Sequence, residues 1–155
     1  MREDAGQLAG FLPYQLSIAS NAVSSLIAER YRKRFGLKIP EWRVIAVLGD
    51  AASDHGLIQR ALMWAILMDK VAVNRAVRVL EERGLIARLP NPVDGRSQLL
   101  ELTAEGRAIH AEVMPLALAT ERDLLARFAP AEQALLRAML EQVRAQAQAM
   151  LGEQD

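Results

Sequence analysis

The residues of this chain best equipped for chemistry are neither nucleophiles nor metal ligands. They are the hydrogen-bonding side chains Lys70, Asn74 and Arg75, gathered in one short stretch, with Arg88 further along. A carboxamide can bond adenine through two hydrogen bonds, and a guanidinium can do the same with guanine or grip a phosphate. An ammonium such as Lys70 pairs with phosphate as a point charge, and Arg88 is a weaker candidate for the nucleic-acid backbone. The same residues could equally form the solvated face of a helix. Other chemistry is poorly served. The chain has no cysteine, and its two histidines, His55 and His110, are far apart in sequence, so neither a thiolate site nor a metal-ligand cluster is expected. There is no nucleophile elbow, glycine-rich phosphate loop or convincing carboxylate pair. The expectation is a protein that is not an enzyme, with no catalytic residue, no metal and no cofactor.

The elements that would position these side chains follow from periodicity and from turn residues. Asp69 is a good N-cap for a helix running through Arg83 and stopped by Gly84. A helix over Leu57 to Leu67 precedes it, after the polar break Ser53-Asp54-His55-Gly56. Leu85 to Leu89 and Gln98 to Leu102 read as strands joined by Asn91-Pro92-Val93-Asp94-Gly95-Arg96, whose Pro and Asp-Gly signals mark a turn. Upstream, Leu12, Leu16, Ala19, Val23, Leu26 and Ile27 recur at helical spacing, predicting one long amphipathic helix from Phe11 to Phe35 that ends at Gly36. Pro40 then opens a shorter helix, with Trp42, Ile45, Ala46 and Leu48, that ends near Gly49. Downstream of Thr103 a long helix carries Ile109, Val113, Leu116 and Leu124, with a bend expected at Pro115. A final helix opens at Pro130 with Leu135, Leu136, Met139, Leu140, Val143 and Met150 as its stripe.

A helix pair followed by a hairpin is a winged helix-turn-helix, in which the second helix enters the major groove and the hairpin reaches the neighbouring minor groove or backbone. The fold class is therefore mainly α with a small β-hairpin wing, carried between long terminal helices. Zero net charge taken alone argues against nucleic acid, but the distribution suits a central DNA-binding lobe, with ordinary surface variation as the other reading. Residues 28–100 hold 13 Lys and Arg against 8 Asp and Glu, residues 101–155 hold 5 against 9, and the whole chain is neutral. The terminal helices carry more apolar surface than a small lobe can cover, which either a second copy or packing of these helices on one another as an intramolecular bundle would bury. No secretory signal or membrane-length apolar run is evident, so a cytoplasmic location is expected.

The run Asp69-Lys70-Val71-Ala72-Val73-Asn74-Arg75-Ala76-Val77-Arg78-Val79-Leu80-Glu81-Glu82-Arg83-Gly84-Leu85 is specific. With Pro92-Val93-Asp94-Gly95-Arg96, Leu102-Thr103-Ala104-Glu105-Gly106-Arg107 and Pro40-Glu41-Trp42-Arg43, it resembles the MarR (multiple-antibiotic-resistance regulator) family over roughly residues 11–150. The resemblance implies a single domain over 1–155, with residues 11–36 and 104–151 as dimerisation helices and 37–103 as the DNA-binding lobe. It also implies a homodimer on a pseudo-palindromic double-stranded operator. The expected activity is repression relieved by a small-molecule effector held between the lobe and the dimer helices, where Trp42 and Arg43 could line the pocket or Trp42 could be core. By the same resemblance Arg96 enters the minor groove, and Asp94 holds it in position.

Two departures stand out against that pattern. Val71 and Ala72 replace small hydroxyl residues, removing two expected hydrogen bonds to DNA. Ile58 and Ala61 replace a Thr-x-x-Glu capping box, a cap being worth about 1 kcal/mol. The helix over 57–68 is apolar all round apart from Gln59 and Arg60. A patch of Ile58, Ala61, Trp64, Ala65 and Met68 could then contact a further protein; the other reading is unusual core packing. The alternative function is a protein-assembly component, natural or engineered, on the same scaffold, with this third helix as its interface and DNA binding weakened.

Overall fold

A computed structural model describes residues 4–50 and 55–152. Among these the order is α1 (Asp4–Gly10), α2 (Leu12–Ala28), α3 (Arg32–Phe35), α4 (Ile39–Gly49), β1 (Leu57–Ile58), α5 (Gln59–Ile66) and α6 (Lys70–Glu82). Then come β2 (Ile86–Pro90), β3 (Gln98–Leu102), α7 (Ala104–Leu125) and α8 (Pro130–Gly152). The chain divides into two compact units, Met1–Ala117 and Leu118–Asp155, with α7 spanning the boundary. No helix of the described residues is long and apolar enough to cross a membrane.

The first unit is built around one core. Val73, Ala76, Val77 and Leu80 line one side of α6 and are buried with Val44, Ile45 and Leu48 of α4, Leu62 of α5, and Ile86, Leu100 and Leu102 of the sheet. Each of these helices thus turns an apolar stripe inward, the arrangement that removes most hydrocarbon from water in a small lobe. The α4 start is fixed by Glu41, whose carboxylate accepts the Lys38 backbone N–H at 2.9 Å, and by Pro40, which needs no donor there. Thr103 secures the join between wing and α7. Its hydroxyl donates to the Gly84 carbonyl at 2.6 Å and accepts from the Gly106 N–H at 3.2 Å. A Cβ on Gly106 would lie 2.1 Å from the Leu85 carbonyl oxygen, so only glycine allows this approach.

Three expectations about elements are corrected. The helix expected over Phe11 to Phe35 stops at Ala28, and a turn carries the Arg30 and Tyr31 N–H groups to the Ile27 and Ala28 carbonyls before α3 resumes. The break lets Tyr31 turn inward, where it is buried with its ring 5.5 Å from that of Trp42. Leu57 and Ile58 are not the first turn of a helix. They pair antiparallel with Leu100 and Leu99 of β3, so the wing belongs to a three-stranded sheet in the order β1-β3-β2. The first wing strand is Ile86–Pro90, one residue later than expected, in register with Leu102 through Gln98. Of the break expected at 53–56, Ser53 and Asp54 lie outside the described residues. α7 runs unbroken through Pro115.

In the second unit Gln133 ties the connecting turn to α8 by donating to the Leu125 and Phe128 carbonyls, each at 3.0 Å. Arg137 pairs with Glu121 at 2.8 Å. No described residue of α8 is buried, and Leu135, Leu136, Met139, Leu140 and Val143 are all exposed.

Candidate nucleic-acid interface

The helix expected to read DNA is α6. Asp69 caps it as expected, its carboxylate accepting the Ala72 N–H at 3.3 Å. Because Val73, Ala76, Val77 and Leu80 bury one face, the helical repeat leaves Lys70, Val71, Asn74, Arg75 and Arg78 on the exposed one. Lys70 sits in the first turn and makes no ion pair among the described residues. Arg75 shares a small cleft of about 140 Å³ with Lys38 and Pro40 at the start of α4. Arg78 is held along the helix by Glu82 at 3.2 Å. Of the two residues standing where hydroxyls were expected, Val71 is exposed and Ala72 half-buried.

The wing tip spans the segment between β2 and β3. The Asn91 side chain braces it, accepting the Val93 N–H at 3.0 Å and donating to the Ser97 hydroxyl at 2.8 Å. Arg96 is exposed there. Asp94 does not hold the Arg96 guanidinium. Its carboxylate accepts the Arg96 backbone N–H at 3.0 Å, and no ion pair joins the two side chains among the described residues. Asp94 therefore shapes the turn and leaves the guanidinium unclaimed, a local bond that a two-residue separation favours.

Arg88 is placed differently from expectation. Its Nε donates to Glu81 Oε1 at 2.6 Å and its Nη2 to Glu81 Oε2 at 3.2 Å, a two-pronged pair between β2 and the recognition helix. Its Nη2 also reaches Gln59 Oε1 at 3.2 Å, and Gln59 in turn donates to Asn74 Oδ1. Asn74 and Arg88 are thus linked through Gln59, while Lys70, Arg75 and Arg96 remain separate cationic points. Gln59 and Glu81 carry no assignment on sequence grounds. The signal for Gln59 was its being one of two polar residues in an otherwise apolar helix. The other, Arg60, borders with Arg96 a cleft of about 610 Å³ beside the wing.

The residues expected to form a protein patch differ in exposure. Ile58 lies in β1, half-buried; Ala61 and Met68 are half-buried, Met68 against the core; Trp64 and Ala65 are exposed. Trp64 is 60% exposed, whereas Leu62, two residues earlier, is fully buried, so α5 has one inward face only. Trp42 is core, 7% exposed, with its ring 5.5 Å from Tyr31 and 6.2 Å from His110. Burial pushes the Tyr31 hydroxyl above its ordinary pKa, so this stack stays uncharged at Tyr31 across the physiological range. Arg43 is half-buried and donates to the Ser24 hydroxyl at 3.0 Å, tying α4 to α2.

Comparison with known proteins agrees with this geometry. Residues 35–97 match a model of the MarR family. An HTH-type transcriptional repressor of Mycobacterium bovis is 31% identical over 108 residues, covering 70% of this chain and 76% of the relative. A putative transcriptional regulatory protein for the hcr operon of Thauera aromatica is 28% identical over 138 residues, 89% of this chain and 81% of the relative. Among solved structures, the PcaV transcriptional regulator of Streptomyces coelicolor in complex with its natural ligand superposes with a TM-score of 0.75. It is 26% identical, covering 90% of this chain and 96% of that one.

Proposed function

The chain belongs to the MarR family of DNA-binding transcriptional regulators, and from that premise we propose that it works as a homodimeric repressor released from its operator by a small molecule. The observation that carries the reading is the cationic geometry of the exposed recognition surface. Arg75 on α6 and Arg96 at the wing tip are both exposed and uncommitted to any acid among the described residues. Arg75 is the residue we assign to base reading in the major groove, and Lys70 we assign to phosphate. Arg96 we assign to the minor groove, where phosphate potential concentrates. Repression is supported by the Mycobacterium bovis relative, a transcriptional repressor, and ligand release by the PcaV complex with its natural ligand. The half-buried Arg43 is our candidate effector contact. The homodimer is supported by the apolar stripes left exposed on α2 and α8, and we retain 37–103 as the lobe that meets DNA.

Selection from random duplex DNA at a stated salt concentration tests the reading. A pseudo-palindromic site should emerge, bound more weakly as salt rises. Equal binding of that site by wild type and by an Arg75→Ala, Arg96→Ala variant would remove the assignment. The relatives described above are transcription regulators, which gives the assembly-component reading no support.

A further inference from the structure

Within the recognition surface, one amide has its orientation set from inside the protein. Glu81 accepts twice from Arg88, Arg88 Nη2 also donates to Gln59 Oε1 at 3.2 Å, and Gln59 Nε2 donates to Asn74 Oδ1. The two ends of a carboxamide are similar in shape, so shape alone does not orient Gln59 or Asn74. The chemistry of the first pair does. A guanidinium has only donors and an ionised carboxylate only acceptors. The Gln59 atom facing Arg88 must therefore be its oxygen, which leaves the Gln59 NH2 facing Asn74, and Asn74 must answer with oxygen. Asn74 Nδ2 lies on the opposite side of its amide, on an exposed residue, with no partner among the described residues.

We propose that Gln59 is a positioning residue that relays the polarity of the Glu81–Arg88 pair to Asn74, so that Asn74 meets the major groove as a hydrogen-bond donor. An unrestrained asparagine bonds adenine through both amide atoms, accepting from N6 and donating to N7. Tethered to Gln59 through Oδ1, the Asn74 amide is not free to turn both of its atoms onto the adenine edge, and it loses that advantage. It selects instead, at one position of each half-site, a base whose major-groove edge only accepts: guanine through N7 and O6 or thymine through O4, ahead of adenine, whose N7 acceptor stands beside the N6 donor, and against cytosine, which offers only the N4 donor. This rests on the DNA-binding reading above and adds to it which atom of Asn74 faces DNA and what orients it.

The test starts from the operator selected by the full-length wild type and measures binding to all four bases at the position whose preference Asn74→Ala flattens. Wild type should favour guanine or thymine over cytosine by about tenfold. The charge swap Glu81→Arg with Arg88→Glu keeps the net charge and the ion pair but reverses the relay. The carboxylate then standing at position 88 accepts from Gln59 Nε2, Gln59 Oε1 faces Asn74 Nδ2, and Asn74 Oδ1 turns outward. Preference should move to cytosine or adenine. Should the swap prove unstable in thermal unfolding, Gln59→Leu leaves the pair intact and frees Asn74, and adenine should gain. A role confined to packing would lower affinity for all four bases alike and move neither preference. The relay is overturned if wild type prefers adenine or cytosine at that position, if no position responds to Asn74→Ala on an operator that wild type does bind, or if the folded variants keep the wild-type base. If wild type selects no operator at all, the DNA-binding reading falls, and the relay with it.

Discussion

The recognition helix α6 and the final helix α8 carry the same kind of information in sequence and meet different fates in the fold. Both repeat apolar residues at helical spacing, Val73, Ala76, Val77 and Leu80 in one and Leu135, Leu136, Met139, Leu140 and Val143 in the other. The α6 stripe is buried against α4 and the sheet, while α8 has no buried residue among those described. Periodicity states that a face is to be covered, but not by what. For α6 the cover lies in the same chain; for α8 we look for it in a second copy. Leucines costing about 1.5 kcal/mol or more each when left in water are a sufficient motive.

The largest effect that could break this comparison is on association. Leu136→Glu with Leu140→Glu alters four leucines per dimer, and at ~1.5 kcal/mol each the dissociation constant should rise on the order of ten-thousandfold. Sedimentation should then show a monomer whose helix content is retained. A variant that stays dimeric, or one that unfolds, would show the α8 stripe to be covered some other way. Next is Leu80→Ala, at a fully buried position of α6. Loss of its methyl groups and the cavity left behind should cost about 2–5 kcal/mol in denaturant unfolding of the lobe. A loss below about 1 kcal/mol would place Leu80 outside the core. Smaller again is the outer face of α6. Arg75→Ala should cost about 1–3 kcal/mol on the selected operator and relax one base position, whereas Arg96→Ala should weaken all operators alike and reduce the salt slope by about one per site. The reverse pattern would exchange the two assignments.

What sequence conveyed follows the range of the interactions. α6 was legible because its cap and stripe are local: Asp69 reaches a donor three residues away, and its core positions repeat every turn. The wing was legible through Pro92 and Asp94-Gly95. β1 was not, because two residues are too few to show alternation and Leu57-Ile58 reads equally well as a helix start; its strand character comes from Leu99 and Leu100, some forty residues on. The break after Ala28 depends on Trp42 receiving the Tyr31 ring, a tertiary fact with no local sign. In the site, Arg88 looked like a free cation because its partner Glu81 stands seven residues back across a helix-strand junction, a spacing that neither a helix nor a strand makes adjacent. Asp94 was placed correctly in the wing and given the wrong bond. A short acid two residues before an arginine finds that residue's backbone N–H before its guanidinium.

The smallest expected effect sharpens the comparison at α5, whose sequence is apolar all round apart from Gln59 and Arg60 yet which buries only Leu62 fully. Trp64, 60% exposed, keeps most of its ring in water in this chain, so its removal should lose little of the burial that holds the lobe together. Trp64→Gln alone is the informative change. Pairing it with a substitution at Ile58, which lies in β1 beside Leu99, would disturb the sheet and confuse the result. Trp64→Gln should alter unfolding free energy by no more than about 0.5 kcal/mol, as for other surface positions, and should leave operator affinity within about twofold, since no hydrogen bond to DNA is assigned to it. A loss above about 2 kcal/mol would mean that the indole is packed in the working protein. Then the outer face of α5, like the stripe proposed for α8, would owe its cover to something beyond the single chain, while Leu62 and the α6 stripe owe theirs to the chain itself.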